Sequence, residues 1–249
     1  MPQPESERTH QSVARPVRLL EVDPELAQAL SGERLARAVH EIRARMIVLA
    51  PGRWSEPAWT LGVRRGAGLL ILEGLMLRRV GFGAELLAAG DLLRPWQRED
   101  AAASLPRRAG WRVLERSRVA VLDVGFLMRA AAYPEVTGEL LARAPRRSRA
   151  LAVNMAIVHQ PKVEVRLHML LWHLADRWGT VTAAGVSLPL RLTHAVLADL
   201  VAARRPTVSA AVGVLERAGA IERAREGWLL HGAPPAELSA VAPPAAEGS

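Results

Sequence analysis

The chain has 249 residues, a formal net charge of +8 and no cysteine. This length allows one large or two ordinary domains with a substantial hydrophobic core. The lack of cysteine excludes disulfides, cysteine-ligated zinc, iron–sulfur clusters and thiol chemistry. No apolar run or signal-peptide pattern indicates a membrane, so we expect a cytoplasmic protein.

The N-terminal half predicts a β-rich domain. Residues 1–16 are polar and rich in Pro, Glu and Ser, which predicts a disordered leader. Residues 17–133 open with predicted helices over 24–30 and 31–45. They continue as apolar runs at about ten-residue spacing with glycine-containing turns, which is typical of an antiparallel barrel or sandwich. The predicted strands are 45–49, 66–74, 75–80, 84–87, 111–114 and 119–122.

The next stretch is helical. Helices are predicted over 126–132, 135–144 and 146–160, and Pro145 is expected to kink or restart the chain. In the last of these, Leu151, Met155 and Val158 lie on one helical face. That stripe fits either a contact with a second copy or packing on the chain's own barrel. A strongly apolar helix over 164–178 follows and is predicted to end at Gly179.

The most specific pattern is residues 192–221, LTHAVLADLVAARRPTVSAAVGVLERAGAI. Thr193 can cap a short helix over 194–200. A second helix begins near Arg204-Arg205-Pro206, where proline is tolerated, and it ends at Gly219. This is helix-turn-helix spacing, and the runs 221–225 and 228–231 predict a β-hairpin wing. The Pro-rich residues 233–249 predict a disordered tail.

The start of the second helix can recognise DNA. Arg204 and Arg205 can donate to guanine O6 and N7, and Thr207 and Ser209 can contact bases or phosphates. Charge alone does not single out this half, since residues 1–160 carry 24 basic and 17 acidic residues and the remainder carries 9 and 8. Helix pairs of this kind also occur in proteins that bind no DNA, so the pattern alone leaves both roles open.

This segment resembles the winged helix of the Crp/Fnr family of bacterial transcription regulators. Family members show a Thr-led first helix, then Ser-Arg-x-Thr-Val-Ser-Arg, then Leu-Glu-x-x-Gly-x-Ile. This chain has Thr193, then Arg204-Arg205-Pro206-Thr207-Val208-Ser209-Ala210, then Leu215-Glu216-Arg217-Ala218-Gly219-Ala220-Ile221. The resemblance covers about residues 17–232. It implies an α+β fold with an N-terminal antiparallel β-barrel (a cyclic-nucleotide-binding-like jelly roll), a long dimerisation helix over 134–160 and a C-terminal winged helix-turn-helix over 161–232.

The resemblance implies a homodimer that binds double-stranded DNA at a pseudo-palindromic operator, with RNA polymerase as a further partner. Arg205 matches the family's guanine-contacting arginine, and Thr193 and His194 match a phosphate contact. Pro206 and Ala210 replace the family's glutamate and second arginine, so we expect a different base preference there. The DNA-binding set is Thr193, His194, Arg204, Arg205, Pro206, Thr207, Ser209, Ala210 and Arg217. The dimer-helix set is Leu151, Met155 and Val158.

An effector site in the barrel is also implied. Members that bind a cyclic nucleotide carry Gly-Asp-x-x-Gly-Glu, whereas this chain has Gly90-Asp91-Leu92-Leu93-Arg94-Pro95, which lacks the glutamate and one amide donor. We therefore expect no cyclic AMP binding and name no cofactor. The candidate effector residues are Arg94, Trp96, Arg108 and Trp111. Haem ligation is left open, and structural roles are preferred for the histidines at 40, 159, 168 and 173.

Catalytic patterns are missing from the sequence. It has no Gly-x-Ser-x-Gly, Gly-x-x-x-x-Gly-Lys or His-Glu-x-x-His, so we do not expect an enzyme or a metal site. A metal cupin would need histidines on barrel strands, and residues 45–122 hold none. The alternative function is a small-molecule-binding protein that uses its winged helix for protein contacts, without salt-dependent affinity for DNA.

Overall fold

The computed structural model describes residues 12–54, 65–80, 83–94 and 109–241. The chain divides into two compact units, Met1–Gly81 with Glu85–Arg147, and Ser148–Ser249 with Phe82–Ala84. The first unit holds antiparallel sheets and the second a helix-turn-helix with its wing, so the predicted α+β class is confirmed. Within the described ranges, no helix is both long enough and apolar enough to cross a membrane.

Two antiparallel sheets form the first unit. Its described strands are β1 (Ser12–Arg18), β2 (Arg43–Leu49), β3 (Gly52–Trp54), β4 (Gly68–Glu73), β5 (Leu75–Val80), β6 (Gly83–Ala88), β7 (Leu92–Leu93), β8 (Ala109–Val113) and β9 (Ser117–Leu122). One sheet has the order β1-β2-β9-β4-β7 and the other has the order β3-β8-β5-β6. This architecture agrees with the predicted barrel or sandwich.

In the larger sheet, β4 is apolar from Gly68 to Leu72 because both faces of this strand are buried. Side chains alternate between the faces. Leu69 and Ile71 of β4 pack in the core between the two sheets, whereas Leu70 packs under the helices on the opposite face. The chain passes from one sheet to the other at Gly74, which has φ 98°. A Cβ at Gly74 would lie 2.6 Å from the Ser117 Cα, so this corner requires glycine.

The helices of the first unit differ from the prediction at their ends. They are α1 (Leu19–Val22), a 3-10 turn (Pro24–Ala27), α2 (Gly32–Glu41), α3 (Val124–Ala130) and α4 (Pro134–Val158), of which the residues after Arg147 belong to the second unit. The helix predicted over 31–45 ends at Glu41 because the following residues pair with β1 as part of β2. For the same reason, the leader predicted for residues 1–16 is wrong from Ser12 onward, where β1 begins. Residues 1–11 lie outside the described residues.

The chain does not restart at Pro145, which was one of the two outcomes predicted there, since α4 continues through it. Buried ion pairs hold the helix on both sides of the proline. Arg143 makes two bonds to the Asp23 carboxylate, of 2.7 and 2.8 Å, and a third to the Gly90 carbonyl oxygen. Arg147 binds the buried Glu85 carboxylate through two nitrogens. Anchors one turn apart offset the single hydrogen bond that proline removes.

The second unit is the winged helix-turn-helix. Its elements are α5 (Val163–Trp178), β10 (Thr180–Thr182), β11 (Gly185–Leu188), α6 (His194–Leu200), α7 (Arg205–Arg217), β12 (Ile221–Ala224), β13 (Gly227–Leu230) and α8 (Ala236–Val241). The helix pair and wing are confirmed to within about a residue. Strands β10 and β11, which extend the wing to the order β10-β11-β13-β12, were not predicted.

The tail predicted for residues 233–249 is wrong over residues 236–241. These residues form α8, which packs against α5 with Leu238 half-buried. Burial of an apolar side chain offsets the entropy cost of ordering this short segment. Residues 242–249 lie outside the described part of the chain.

Candidate nucleic-acid interface

Helix α7 buries one face and exposes the other. Val208, Ala211, Val212 and Leu215 are buried, at the spacing of a single helical stripe. This stripe packs against α5 and α6. The exposed residues of its first half are Arg205, Pro206, Thr207, Ser209 and Ala210. The structure therefore brings most of the predicted DNA-binding residues onto one accessible surface.

The turn between α6 and α7 is fixed by its backbone. Ala202 has φ 50°, which is uncommon for a residue with a Cβ, and Val201 beside it is fully buried. Arg166 on α5 donates its Nη1 to the Val201 carbonyl oxygen at 3.2 Å and its Nε to the Gln160 carbonyl oxygen at 2.5 Å. One guanidinium thus ties the turn to the segment that precedes α5.

The N-terminus of α7 is electropositive and open. Arg204 is its N-cap residue and makes no side-chain capping bond, and Pro206 lies in the first turn. No acidic residue occupies that turn. The free N–H groups of a helix N-terminus attract anions, and the exposed side chains of Arg204 and Arg205 add two positive charges there.

The start of α6 lies against α7. Thr193 caps α6 as predicted, because its Oγ1 accepts a bond from the Val196 amide at 3.3 Å. The His194 Nδ1 lies 2.8 Å from the Ser209 Oγ of α7. Arg217, by contrast, lies twelve residues beyond Arg205, about 18 Å along the helix. Arg217 is therefore separated from the other predicted DNA-binding residues.

Sequence reasoning did not single out Arg223 of the wing. Its guanidinium carbon lies 5.3 Å from the ring centroid of Trp228, its cross-strand partner. Its Nη1 lies 3.5 Å from the His194 Nε2. The neighbouring Arg191 and Arg225 instead pair with Glu226. The alternation of side chains along β12 is a sequence signal that could have indicated Arg223 opposite Trp228. The contact between Arg223 and His194 has no such signal, because it depends on the tertiary packing of α6 near the wing.

Two histidines of α5 are held neutral. Burial lowers the pKa of His168 and of His173. The Trp172 indole N–H donates to the His168 Nε2 at 3.0 Å, which requires that nitrogen to carry no proton. This arrangement agrees with structural roles for both. In the described ranges, His, Asp and Glu side chains form no group of three that could hold a metal ion.

The predicted dimer-helix residues line one side of α4. Met155 is 64% exposed, and Leu151 and Val158 are half-buried. The stripe continues towards the N-terminus through Ser148 and Ala144 to Leu141, which is 68% exposed. These six positions alternate spacings of three and four residues, which is the pattern of a two-stranded coiled coil.

Of the predicted effector residues, Trp111 lies half-buried at one end of the core between the sheets. It pairs with Trp54 on β3 and Arg78 on β5, and Arg78 lies 3.4 Å from Glu85 on β6. Within the described segments, the buried Trp54 Nε1 and Arg78 Nε have no hydrogen-bond partner. Arg94 is exposed at the end of the described segment, and Trp96 and Arg108 lie outside the described residues.

Comparison with known proteins gives one domain assignment. Residues 165–232 match the Crp-like helix-turn-helix domain. No curated protein sequence matches the chain significantly.

Solved structures share the fold at low identity. A CooA mutant from Carboxydothermus hydrogenoformans is 18% identical with a TM-score of 0.56, covering 94% of this chain and 96% of its own. FixK2 from Bradyrhizobium japonicum is 15% identical with a TM-score of 0.54, and the match covers 80% of this chain and 95% of FixK2. A CRP-family transcriptional regulator from Thermus thermophilus is 18% identical with a TM-score of 0.50, and the match covers 78% of this chain and 93% of that regulator.

Proposed function

We propose that the chain is a Crp/Fnr-type transcription regulator that acts as a dimer and binds a specific DNA sequence through α7. One observation carries the proposal. The exposed first half of α7 presents Arg205, Thr207 and Ser209 on a helix whose opposite face is buried. The N-terminal residues of a second helix-turn-helix helix are those that reach base edges in the major groove.

The side chains of α7 suggest which bases would be read. Arg205 can donate two bonds to guanine O6 and N7. Pro206 and Ala210 offer only apolar contacts at the positions where the resemblance leads us to expect charged residues. Apolar side chains contact the thymine methyl group. We therefore propose a half-site with a guanine next to thymine-containing base pairs.

The test compares Arg205→Ala with Arg116→Ala, which removes the same charge from an exposed position of the first unit. Affinities are measured by fluorescence anisotropy on a duplex selected from a random pool and on a scrambled duplex. Arg205→Ala should cost about 1–3 kcal/mol of binding to the selected duplex and much less on the scrambled one. Equal losses for both variants, or none, would contradict the placement of α7 in the groove.

Dimerisation belongs to the same proposal. The stripe on α4 from Leu141 to Val158 combines exposed apolar side chains with heptad spacing. A second copy packed on it would bury Leu141 and Met155. A symmetric dimer would present two α7 helices to two DNA half-sites in inverted orientation.

We also propose that an effector acts on the first unit. The support is the cross-strand row of Trp54, Trp111, Arg78 and Glu85, where two buried N–H donors have no partner among the residues that the structure describes. Buried donors of this kind are rare and call for an acceptor. Titration of small organic anions, followed by tryptophan fluorescence and by DNA affinity, tests this part. A Trp54→Phe variant should lose the response to any anion that the wild-type protein binds.

A further inference from the structure

We propose that Arg223 of the wing binds a DNA phosphate and that His194 is the residue that positions it. The inference rests on the proposed function and adds a residue to the DNA-binding surface. It also assigns a new role to His194, for which the resemblance implied a direct phosphate contact.

Arg223 is held in place by an aromatic platform. Its guanidinium carbon lies 5.3 Å from the ring centroid of Trp228, and that ring is only 1% exposed. The two residues face each other across β12 and β13. Stacking on a fixed ring restricts the rotamers of a long side chain, so less entropy is lost when the guanidinium meets a ligand.

The charge of Arg223 is not neutralised. Arg191 and Arg225, the other arginines around the wing, both pair with the Glu226 carboxylate. Across the described residues, no carboxylate oxygen lies within 4 Å of an Arg223 nitrogen, and its polar partner is the His194 ring. An arginine that is held on an aromatic ring and paired with no carboxylate is suited to a phosphate, since planar guanidinium groups bind phosphate oxygens in bidentate fashion.

The hydrogen-bond pattern defines the role of His194. The Ser209 hydroxyl donates to the Arg205 carbonyl oxygen at 3.1 Å, so its single proton is used. The His194 Nδ1 at 2.8 Å must therefore be the donor to the Ser209 Oγ. The neutral imidazole then has an unprotonated Nε2, which accepts from the Arg223 Nη1 at 3.5 Å.

A chain of donors thus runs from the wing to the recognition helix. Arg223 donates to His194, His194 donates to Ser209, and Ser209 donates to the backbone of Arg205. Both ring nitrogens of His194 face protein groups. His194 therefore couples the position of the wing arginine to the helix that carries Arg205.

The first experiment measures the salt dependence of DNA affinity for the full chain. Arg223→Ala should weaken binding to selected and scrambled duplexes by a similar factor, because a phosphate carries no sequence information. The slope of log affinity against log salt should become shallower by about 0.9 for each DNA-bound domain. The matched control is Arg225→Ala, two residues along the same wing, whose arginine is paired with Glu226 and which should leave the slope nearly unchanged.

The second experiment tests the positioning role with a double-mutant cycle. His194→Asn can keep the donor to Ser209 but loses the acceptor for Arg223, whereas His194→Gln can place an amide oxygen near the lost Nε2. The Asn variant should weaken binding in the wild-type background and have little further effect in the Arg223→Ala background. The Gln variant should restore part of the affinity. Thermal unfolding of each variant separates these effects from loss of folding.

The outcomes distinguish the two claims. If the wild-type chain selects a DNA sequence but Arg223→Ala keeps its affinity and salt slope, this inference is overturned and the proposed function is not. Additive effects of His194→Asn and Arg223→Ala would overturn the positioning role. If the wild-type chain binds no duplex in any salt, the proposed function fails and the inference fails with it.

Discussion

Arginine side chains supply the cation of many ion pairs among the described residues, and their partners separate their roles. Arg143 and Arg147 are bound to the Asp23 and Glu85 carboxylates in the first unit, where they hold α4. Arg205 is exposed at the start of α7, and Arg223 lies between an aromatic ring and an imidazole. The same residue type therefore serves as a structural anchor and as a candidate DNA contact.

The neutral histidines of α5 predict an acid-sensitive second unit. Burial holds the pKa of His173 below the value of about 6.5 that an unfolded chain has. Above the unfolded-state pKa neither state binds the proton, so this contribution to stability is fully present. Below that pKa the unfolded state binds the proton more readily than the folded state, and the contribution is lost as the pH falls through the lowered pKa of the folded state. His173→Phe should reduce this loss. Urea unfolding between about pH 8 and pH 5 measures the free energy of unfolding of the wild type, of His173→Phe and of the control His159→Gln, which changes an exposed histidine. Equal pH dependence in all three proteins would contradict the account.

At the scale of elements, the wing depends on close backbone packing. Gly227 begins β13 with φ 159°, and a Cβ there would overlap the Leu188 carbonyl oxygen of β11. Gly219, which follows α7 with φ 66°, has open space around its Cβ position. Gly219→Ala should therefore cost about 1–2 kcal/mol of unfolding free energy, from the left-handed backbone alone.

Gly227→Ala should cost more than Gly219→Ala, because β11 and β13 would have to separate. Urea unfolding of the two variants, followed by circular dichroism, measures the difference. A smaller loss for Gly227→Ala would show that the wing does not hold β11 against β13 as described.

Local chemistry explains which elements could be predicted. Thr193 is a good cap, Pro206 is tolerated only in a first turn and Gly219 adopts a left-handed backbone, so α6 and α7 were placed to within about a residue. The continuity of α4 through Pro145 could not be predicted, because it depends on the carboxylates of Asp23 and Glu85, distant in sequence.

The candidate site divides in the same way. The exposure of Arg205 follows from the helical period of its own segment, and this part could be predicted. The contact between His194 and Arg223 joins residues 29 positions apart, on elements brought together only by folding. β10 and β11 were missed because strands of three and four residues carry too few side chains for an alternating pattern.

At the scale of the whole molecule, the account requires a dimer through α4. Met155→Glu would place two like charges together at the predicted contact and leave the exposed surface of a monomer unharmed. Analytical ultracentrifugation should show a shift from dimer to monomer. Ala142→Glu, at an exposed position next to the stripe, is the control and should remain dimeric. A dimeric Met155→Glu variant would exclude this contact.

The central claim is that two copies of α7 read one symmetric DNA site. Selection of bound sequences from a random duplex pool with the full chain tests it most directly. The account predicts two inverted half-sites whose centres lie about 10–10.5 base pairs apart, with a guanine that loses its selection in Arg205→Ala. A single asymmetric site, or sequence-independent recovery of the pool, would contradict it.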